Sequence, residues 1–319
     1  MSKRRRIAPF VFAVVFTLAV SSCSSPPEGS SGSSPTGDPN TDKLAQVLAR
    51  GTLILSTDPA YPPQSFEVEG ATRAADTSCA ANELTAPEVD GYDAETGKRV
   101  AEALGVEPCF VAPTWTEITG GNWGDRWDIS WGSGGINADR MTRLYMTQPY
   151  YATPQSFFVR EDSQYQTPSD LNGEEIGVCA ACTHELYLNG ELEVPGVEIE
   201  PKVEDPQIVV FATEPPGLKA VANGKIAAFL LSEPVGMQAI DEGLPLRALD
   251  EPAFPLFLTG FIDKSSGLEQ GAFVARVNEI LLALHADGSL ATMSQEYFGT
   301  DYATDAGRFD LESIGQEVS

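Results

Sequence analysis

Short apolar runs alternate with helical stretches along most of the chain. Leu53-Ile54-Leu55-Ser56-Thr57, Cys109-Phe110-Val111, Ser156-Phe157-Phe158-Val159, Glu175-Ile176-Gly177-Val178, Ile208 to Phe211 and Ala227 to Leu231 predict strands. Several are apolar on both faces, as buried parallel strands are. Trp127 to Trp131 alternates like a strand and leads into Gly132-Ser133-Gly134-Gly135, which reads as a turn. Asp58 to Pro63 carries three prolines and reads as a loop, and 69–90 is polar and irregular. Helices are predicted over Asp42–Arg50, Asp93–Leu104 with Gly105 as stop, Ala138–Tyr145 with Asn137 as N-cap, Thr183–Leu188, Leu218–Ala222, Pro234–Asp241 and Leu268–Leu284. In the last of these Phe273, Val277, Ile280, Leu281 and Leu284 share one face. A final helix follows Asp287-Gly288, with Leu290, Met293 and Tyr297 on one side. Strand–helix alternation predicts α/β architecture with parallel-type sheets. The pattern begins again at Gln155, so two α/β lobes are expected.

The N-terminus follows different rules. Lys3, Arg4, Arg5 and Arg6 precede the apolar run Ile7 to Val20, which is too short to span a bilayer, a task needing about 20 residues. A charged start, apolar middle and small-residue end predict a secretory signal. Val20-Ser21-Ser22-Cys23 resembles the lipobox of bacterial lipoproteins, where the signal is cut before a Cys that carries lipid. On that resemblance 1–22 is the signal and Cys23 the lipidated residue. Residues 23–41 are rich in Ser, Pro and Gly, lack a bulky apolar side chain and are expected to form a flexible tether. The anchored protein is then extracytoplasmic, on the outer face of the cell membrane.

Charge sharpens this picture. The chain holds 46 acidic and 20 basic residues, net -26. Removing the four bases of 1–22, where no acid lies, leaves 16 against 46, net -30. Such a surface excludes nucleic acid and a polybasic grip on anionic lipid. Setting Cys23 aside leaves Cys79, Cys109, Cys179 and Cys182, an even number for an oxidising compartment. Of three possible connectivities, Cys79–Cys109 with Cys179–Cys182 is the simplest, each pair lying within one half of the chain.

From about residue 52 to 299 the chain resembles the bacterial extracellular solute-binding proteins of family 3. Five blocks carry the resemblance in order: Gly51 to Pro63; Gly91-Tyr92-Asp93 with the helix ending Leu104-Gly105-Val106; Asp128-Ile129 to Asp139-Arg140; Leu171-Asn172-Gly173 before Ile176-Gly177-Val178; and Ala286 to Leu290. Pro149-Tyr150-Tyr151 matches the motif before the family's hinge. The resemblance implies a two-lobed type II periplasmic-binding fold with two hinge crossovers, near Tyr151–Pro154 and Leu249–Phe254. Lobe 1 would comprise 42–150 plus 256–300, lobe 2 155–252, and 301–319 a C-terminal tail. It also implies a monomer without cofactor or catalytic residues, which captures a small amino-acid-like ligand for an ABC transporter permease.

Carried over residue by residue, Arg140 matches the arginine that holds the ligand's α-carboxylate, a role suited to a two-pronged guanidinium. Tyr61 and Trp115 match the aromatic pair that sandwiches the ligand side chain. Asp58 matches an acid that contacts the ammonium or supports the site. Ser133-Gly134-Gly135 matches a backbone contact segment, with Gly135 where a Thr is usual. Thr183 opens a helix whose free N–H groups can meet a carboxylate. Ser232 stands where the family places the aspartate that pairs with the α-ammonium, so Glu233 or Asp58 would have to substitute, or the ligand is an unusual or amine-poor acid. Trp115, Trp123, Trp127 and Trp131 also permit an aromatic cage for a quaternary ammonium, though Trp131 suits a core or rim better.

Rival chemistries find less support in the residues. Cys179-Ala180-Ala181-Cys182 between strand and helix has the layout of a thiol-disulfide redox site, the main alternative alongside a dehydratase-like enzyme on the same fold. His184-Glu185 lacks a second His at position 188, and His285 is the other histidine, so no His-rich metal site is expected. Ser133 lacks the G-x-S-x-G setting of a nucleophile elbow.

Overall fold

The computed structural model describes residues 37–318, so the signal, Cys23 and the tether up to residue 36 lie outside the described residues. Asp42 accepts a 2.7 Å hydrogen bond from Ala45 N–H and caps α1 (Lys43–Arg50), which enters β1 (Thr52–Ser56), buried along its length. Two short strands, β2 (Ala60–Tyr61) and β3 (Ser65–Glu67), pair with each other. The 69–90 insertion contributes β4 (Leu84–Thr85) and β5 (Val89–Asp90), and Cys79 bonds to Cys109 in β6 (Glu107–Val111). Closing a 30-residue loop in this way limits the unfolded chain's freedom. Between β5 and β6 lies α2 (Tyr92–Leu104), ended by Gly105 at φ 73°, a left-handed C-cap that glycine takes without steric cost. Next come α3 (Trp115–Gly120), β7 (Ile129–Gly135), α4 (Ala138–Met141) and β8 (Leu144–Met146).

Two ten-residue strands join the lobes. β9 (Tyr151–Arg160) and, after β10 (Glu175–Cys179), α5 (Thr183–Leu188), β11 (Gln207–Phe211), α6 (Glu214–Ala222), β12 (Ala228–Ser232), α7 (Glu233–Asp241) and β13 (Leu246–Ala248), β14 (Phe254–Asp263) run antiparallel. Tyr151–Gln155 pairs with Phe254–Leu258; beyond that stretch β9 pairs with β12, and β14 turns to β7 and β8. One mixed sheet results, ordered β11-β10-β12-β9-β14-β7-β1-β6-β4. Within each lobe the inner strands are parallel: β6-β1-β7 in the first, β11-β10-β12 in the second.

The chain closes with α8 (Gly271–Ala286) and α9 (Ser289–Phe298). Phe273, Val277, Ile280 and Leu281 of α8 are buried, as their spacing predicts. Residues 301–318 pack back on the body: Ala303, Ala306 and Ile314 are buried, and Gln316 exchanges two hydrogen bonds with the Met146 backbone. Among the described residues no helix is long and apolar enough to cross a membrane.

Four sequence expectations change. Ala60–Tyr61, inside the predicted loop 58–63, forms β2 because it finds β3 as an antiparallel partner. The predicted turn 132–135 is the second half of β7, because its glycines admit bulky neighbours: a Cβ on Gly134 would lie 2.2 Å from the Phe261 ring, and one on Gly135 2.4 Å from Leu256. The predicted helix 138–145 stops at Met141, since Leu144, Tyr145 and Met146 are buried by pairing with Phe261–Asp263. The sheet is mixed rather than parallel throughout, because β9 and β14 cross between the lobes antiparallel to their neighbours.

Candidate functional site

A cavity of about 470 Å³ lies between the lobes at the carboxyl ends of the parallel strands. This is where open α/β sheets leave a crevice, because the loops leaving adjacent strands diverge there. Each site residue follows one such strand: Asp58 and Tyr61 come after β1, Trp115 after β6, Arg140 after β7, Thr183 after β10, Glu214 after β11, and Ser232 ends β12.

Arg140 is buried in the cavity wall. Asn137 accepts from its backbone N–H at 2.8 Å and fixes the short α4. Its guanidinium donates to Gly135 O at 2.9 Å and to Ala181 O at 3.1 Å, and lies 5.0 Å from the centre of the Trp115 ring. Burial lowers its pKa to about 10. Asp139, its neighbour in the chain, pairs with Arg143 instead, and among the described residues Arg140 has no ion-pair partner. Its remaining N–H groups can take a carboxylate.

The acids of the lining act on one another. Glu214, at the start of α6, has its carboxyl raised to about 7, first by burial and then by the charge of Asp58. Tyr61 is raised well above its ordinary value by burial, then by Glu214, Asp93 and Asp58. The cavity lining therefore carries both a guanidinium and the carboxyl groups of Asp58 and Glu214.

Ser133 lines the cavity and donates to Asp93 at 2.5 Å. Tyr150 also donates to Asp93, at 2.9 Å, so a buried carboxyl supports Ser133 from behind. Gly134 and Gly135 do not line the cavity: they sit in the β7 ladder opposite Thr259 and Leu258, and Leu256 fills the space a Thr at 135 would need. Thr183 is buried at the cavity. Ser232 also lines it, its hydroxyl 3.0 Å from Thr153 Oγ1. Glu233 is absent from the lining because it accepts from Tyr302 at 3.0 Å. Of the two substitutes for the missing aspartate, Asp58 is in place and Glu233 is not. Trp123, Trp127 and Trp131 are buried in the core and only Trp115 of the four reaches the cavity, so they form no aromatic cage.

Sequence reading missed Glu214, Gln155 and His184. Pro215-Pro216-Gly217 after Glu214 reads as a helix breaker, yet proline suits a first helical turn. His184 is buried with Nε2 2.6 Å from Gln155 Oε1, and burial followed by the charge of Arg140 lowers its pKa to about 3, so it is neutral. Cys179 is joined to Cys182 and both line the cavity. The donor groups Cys179–Cys182–His184 and Cys79–Glu83–Cys109 each have both sulfurs in a disulfide, which leaves no thiolate there for a metal.

The comparisons with known proteins agree with this geometry. The sequence model of the bacterial extracellular solute-binding proteins, family 3, matches residues 53–300. The L-cystine-binding protein TcyJ of Escherichia coli (strain K12) is 24% identical over 260 residues, covering 81% of this chain and 86% of that protein. A cyclohexadienyl dehydratase of Pseudomonas aeruginosa is 25% identical over 166 residues, 50% of this chain and 55% of its own. A crystal structure of a mutant of ArgBP from T. maritima has the same fold, with TM-score 0.63 and 18% identity over 81% of this chain and 99% of that one.

Proposed function

The chain belongs to the bacterial extracellular solute-binding proteins of family 3, and on that premise we propose that it captures a small zwitterionic amino acid between its lobes and hands it to an ABC permease. One observation carries this reading: the buried Arg140 faces the cavity with no ion-pair partner among the described residues, while Asp58 and Glu214 line the same cavity. The ligand's carboxylate meets Arg140 and the start of α5. Tyr61 and Trp115 flank its side chain. With Ser232 where an aspartate would pair with the ammonium, Asp58 and Glu214 supply the negative charge, so a ligand with a cationic group fits best.

In this reading 42–150 with 256–300 forms one lobe and 155–252 the other, and the protein works as a monomer. Cys23 carries lipid that holds it at the outer face of the cell membrane; Cys23→Ser should release it into the soluble fraction.

A thermal-shift screen of amino acids, betaines and oligoamines, followed by calorimetry, tests the reading. One-to-one binding of an amino acid that Arg140→Ala weakens supports it. Unchanged affinity in Arg140→Ala would overturn the assigned site, and turnover of the ligand would assign dehydratase-like chemistry instead.

A further inference from the structure

The loop between Cys179 and Cys182 belongs to the second lobe, yet two side chains of the first lobe hold it. Trp115 Nε1–H donates to Ala181 O at 3.2 Å, and an Nη2–H of Arg140 donates to the same oxygen at 3.1 Å. One carbonyl thus accepts two hydrogen bonds across the cleft, one of them charge-assisted. Its direction depends on an unusual backbone: Ala181 sits at φ 58°, a left-handed conformation that the Cβ of an alanine disfavours. Cys179 ends β10 and Cys182 caps α5, so the disulfide closes a loop of four residues whose ends are both anchored, Cα atoms 5.5 Å apart.

We propose that the Cys179–Cys182 disulfide is a thiol-responsive latch on the ligand cleft: oxidised, it holds the Ala181 carbonyl where Trp115 and Arg140 reach it; reduced, it frees the loop and loosens closure. The proposal rests on reading the cavity as a ligand site, since both donors are also proposed ligand contacts. The co-reactant is a dithiol, small or protein-borne. It gives two electrons and two protons to the pair, so that the S–S bond breaks, one forms in the reductant, and Cys179 and Cys182 become thiols.

Access favours this bond over its counterpart. Cys182 is only half-buried and lines the cavity, whereas Cys79 is 7% exposed and Cys109 not at all. Attack at Cys182 makes Cys179 the leaving group, and a partner awaits it. Gln155 donates through Nε2 to Thr153, which orients its Oε1 toward His184 Nε2, so Nε2 carries the imidazole hydrogen. His184 Nδ1 then presents its lone pair 4.0 Å from Cys179 Sγ, ready to accept from the new thiol. Both redox states are therefore accommodated. A second contact across the cleft, Ala138 N–H to Glu193 O at 2.9 Å, does not involve the loop and limits the change to a loosening.

The test compares the full chain oxidised, mildly reduced with dithiothreitol, and as Cys179→Ser/Cys182→Ser, by hydrogen–deuterium exchange without ligand and calorimetry with L-arginine and L-glutamine. Differential alkylation should show Cys179 and Cys182 reduced before Cys79 and Cys109. Exchange over 113–117 and 180–184 should rise about two- to tenfold in the reduced and double-variant proteins, as loss of about one net hydrogen bond predicts. Trp115→Phe, which keeps a ring but loses the donor, should shrink the difference between oxidised and reduced protein, a coupling that a merely structural disulfide would not show. Equal exchange in the three forms, or prior opening of Cys79–Cys109, would overturn the latch. If exchange responds but neither amino acid binds in any form, the thiol-sensitive contact across the cleft stands and its role in closing on these amino acids fails.

Discussion

Ser133 donates a 2.5 Å hydrogen bond to Asp93, forty residues earlier in the chain, and so links the cavity wall to a fully buried carboxyl at the start of α2. Burial raises Asp93 to about 7, against the hydrogen bonds from Ser133, Tyr150 and Tyr151 that favour its charged form. A raised carboxyl binds its proton more tightly in the folded state. Its stabilising contribution is therefore full below about pH 4 and is lost as pH rises through about 7, each tenfold gain in proton affinity being worth at most about 1.4 kcal/mol. Glu214 acts in the same sense. His184, lowered to about 3, acts in the opposite one: its contribution is full above about pH 6.5 and is lost as pH falls toward 3. The total profile thus mixes opposing slopes, and the difference between proteins is the informative quantity. Melting temperatures of Asp93→Asn should gain on wild type between pH 5 and 8; a constant gap would show that Asp93 does not titrate there.

At the binding site, Arg140→Ala should weaken calorimetric affinity for the amino acid found in the screen by about 2–4 kcal/mol, as loss of one member of a buried charge pair does.

Ligand charge can be read at Glu214. Glu214→Gln keeps the shape and removes the charge, so it should weaken a cationic amino acid such as L-arginine by about 1–2 kcal/mol and L-glutamine much less. Equal losses for both ligands would place the cationic group elsewhere.

Stability of the first lobe depends on another buried acid. Asp128 pairs with the buried Lys43 at 2.6 Å and with Arg50, and accepts from Ile54 N–H at 2.8 Å, tying α1 and β1 to β7. Asp128→Asn leaves the Lys43 ammonium uncompensated and should cost about 3–5 kcal/mol in chemical denaturation. A loss under about 1 kcal/mol would mean that water or backbone rearrangement meets Lys43.

Gly134 has a packing role. Gly134→Ala places a Cβ 2.2 Å from the Phe261 ring and should destabilise by about 1–3 kcal/mol, whereas Gly132→Ala, with no neighbour nearer than 3.6 Å, should cost less. Denaturant midpoints of the two variants decide it.

Much of this protein is written locally. The strand of Leu53 to Ser56, the face of Phe273, Val277, Ile280 and Leu281, and the cap at Asn137 follow from side-chain period and backbone chemistry, which act within a few residues. Resemblance to the family, rather than local pattern, pointed to Asp58, Tyr61, Trp115 and Arg140, and the start of a helix pointed to Thr183; all five line the cavity. Other features needed partners distant in sequence. Gly134 and Gly135 form a strand rather than a turn because Phe261 and Leu256 occupy the space above them. Leu144 to Met146 leaves the helix because β14 offers it a ladder. Glu233 is drawn from the cleft by Tyr302, which leaves Glu214, hidden behind two prolines, to join Asp58 on the cavity wall. Which residues follow a strand is a property of the sequence. Which of their charges meet, and what a cysteine loop can hold across a cleft, depends on packing between segments far apart in the chain, and only the tertiary structure decided it.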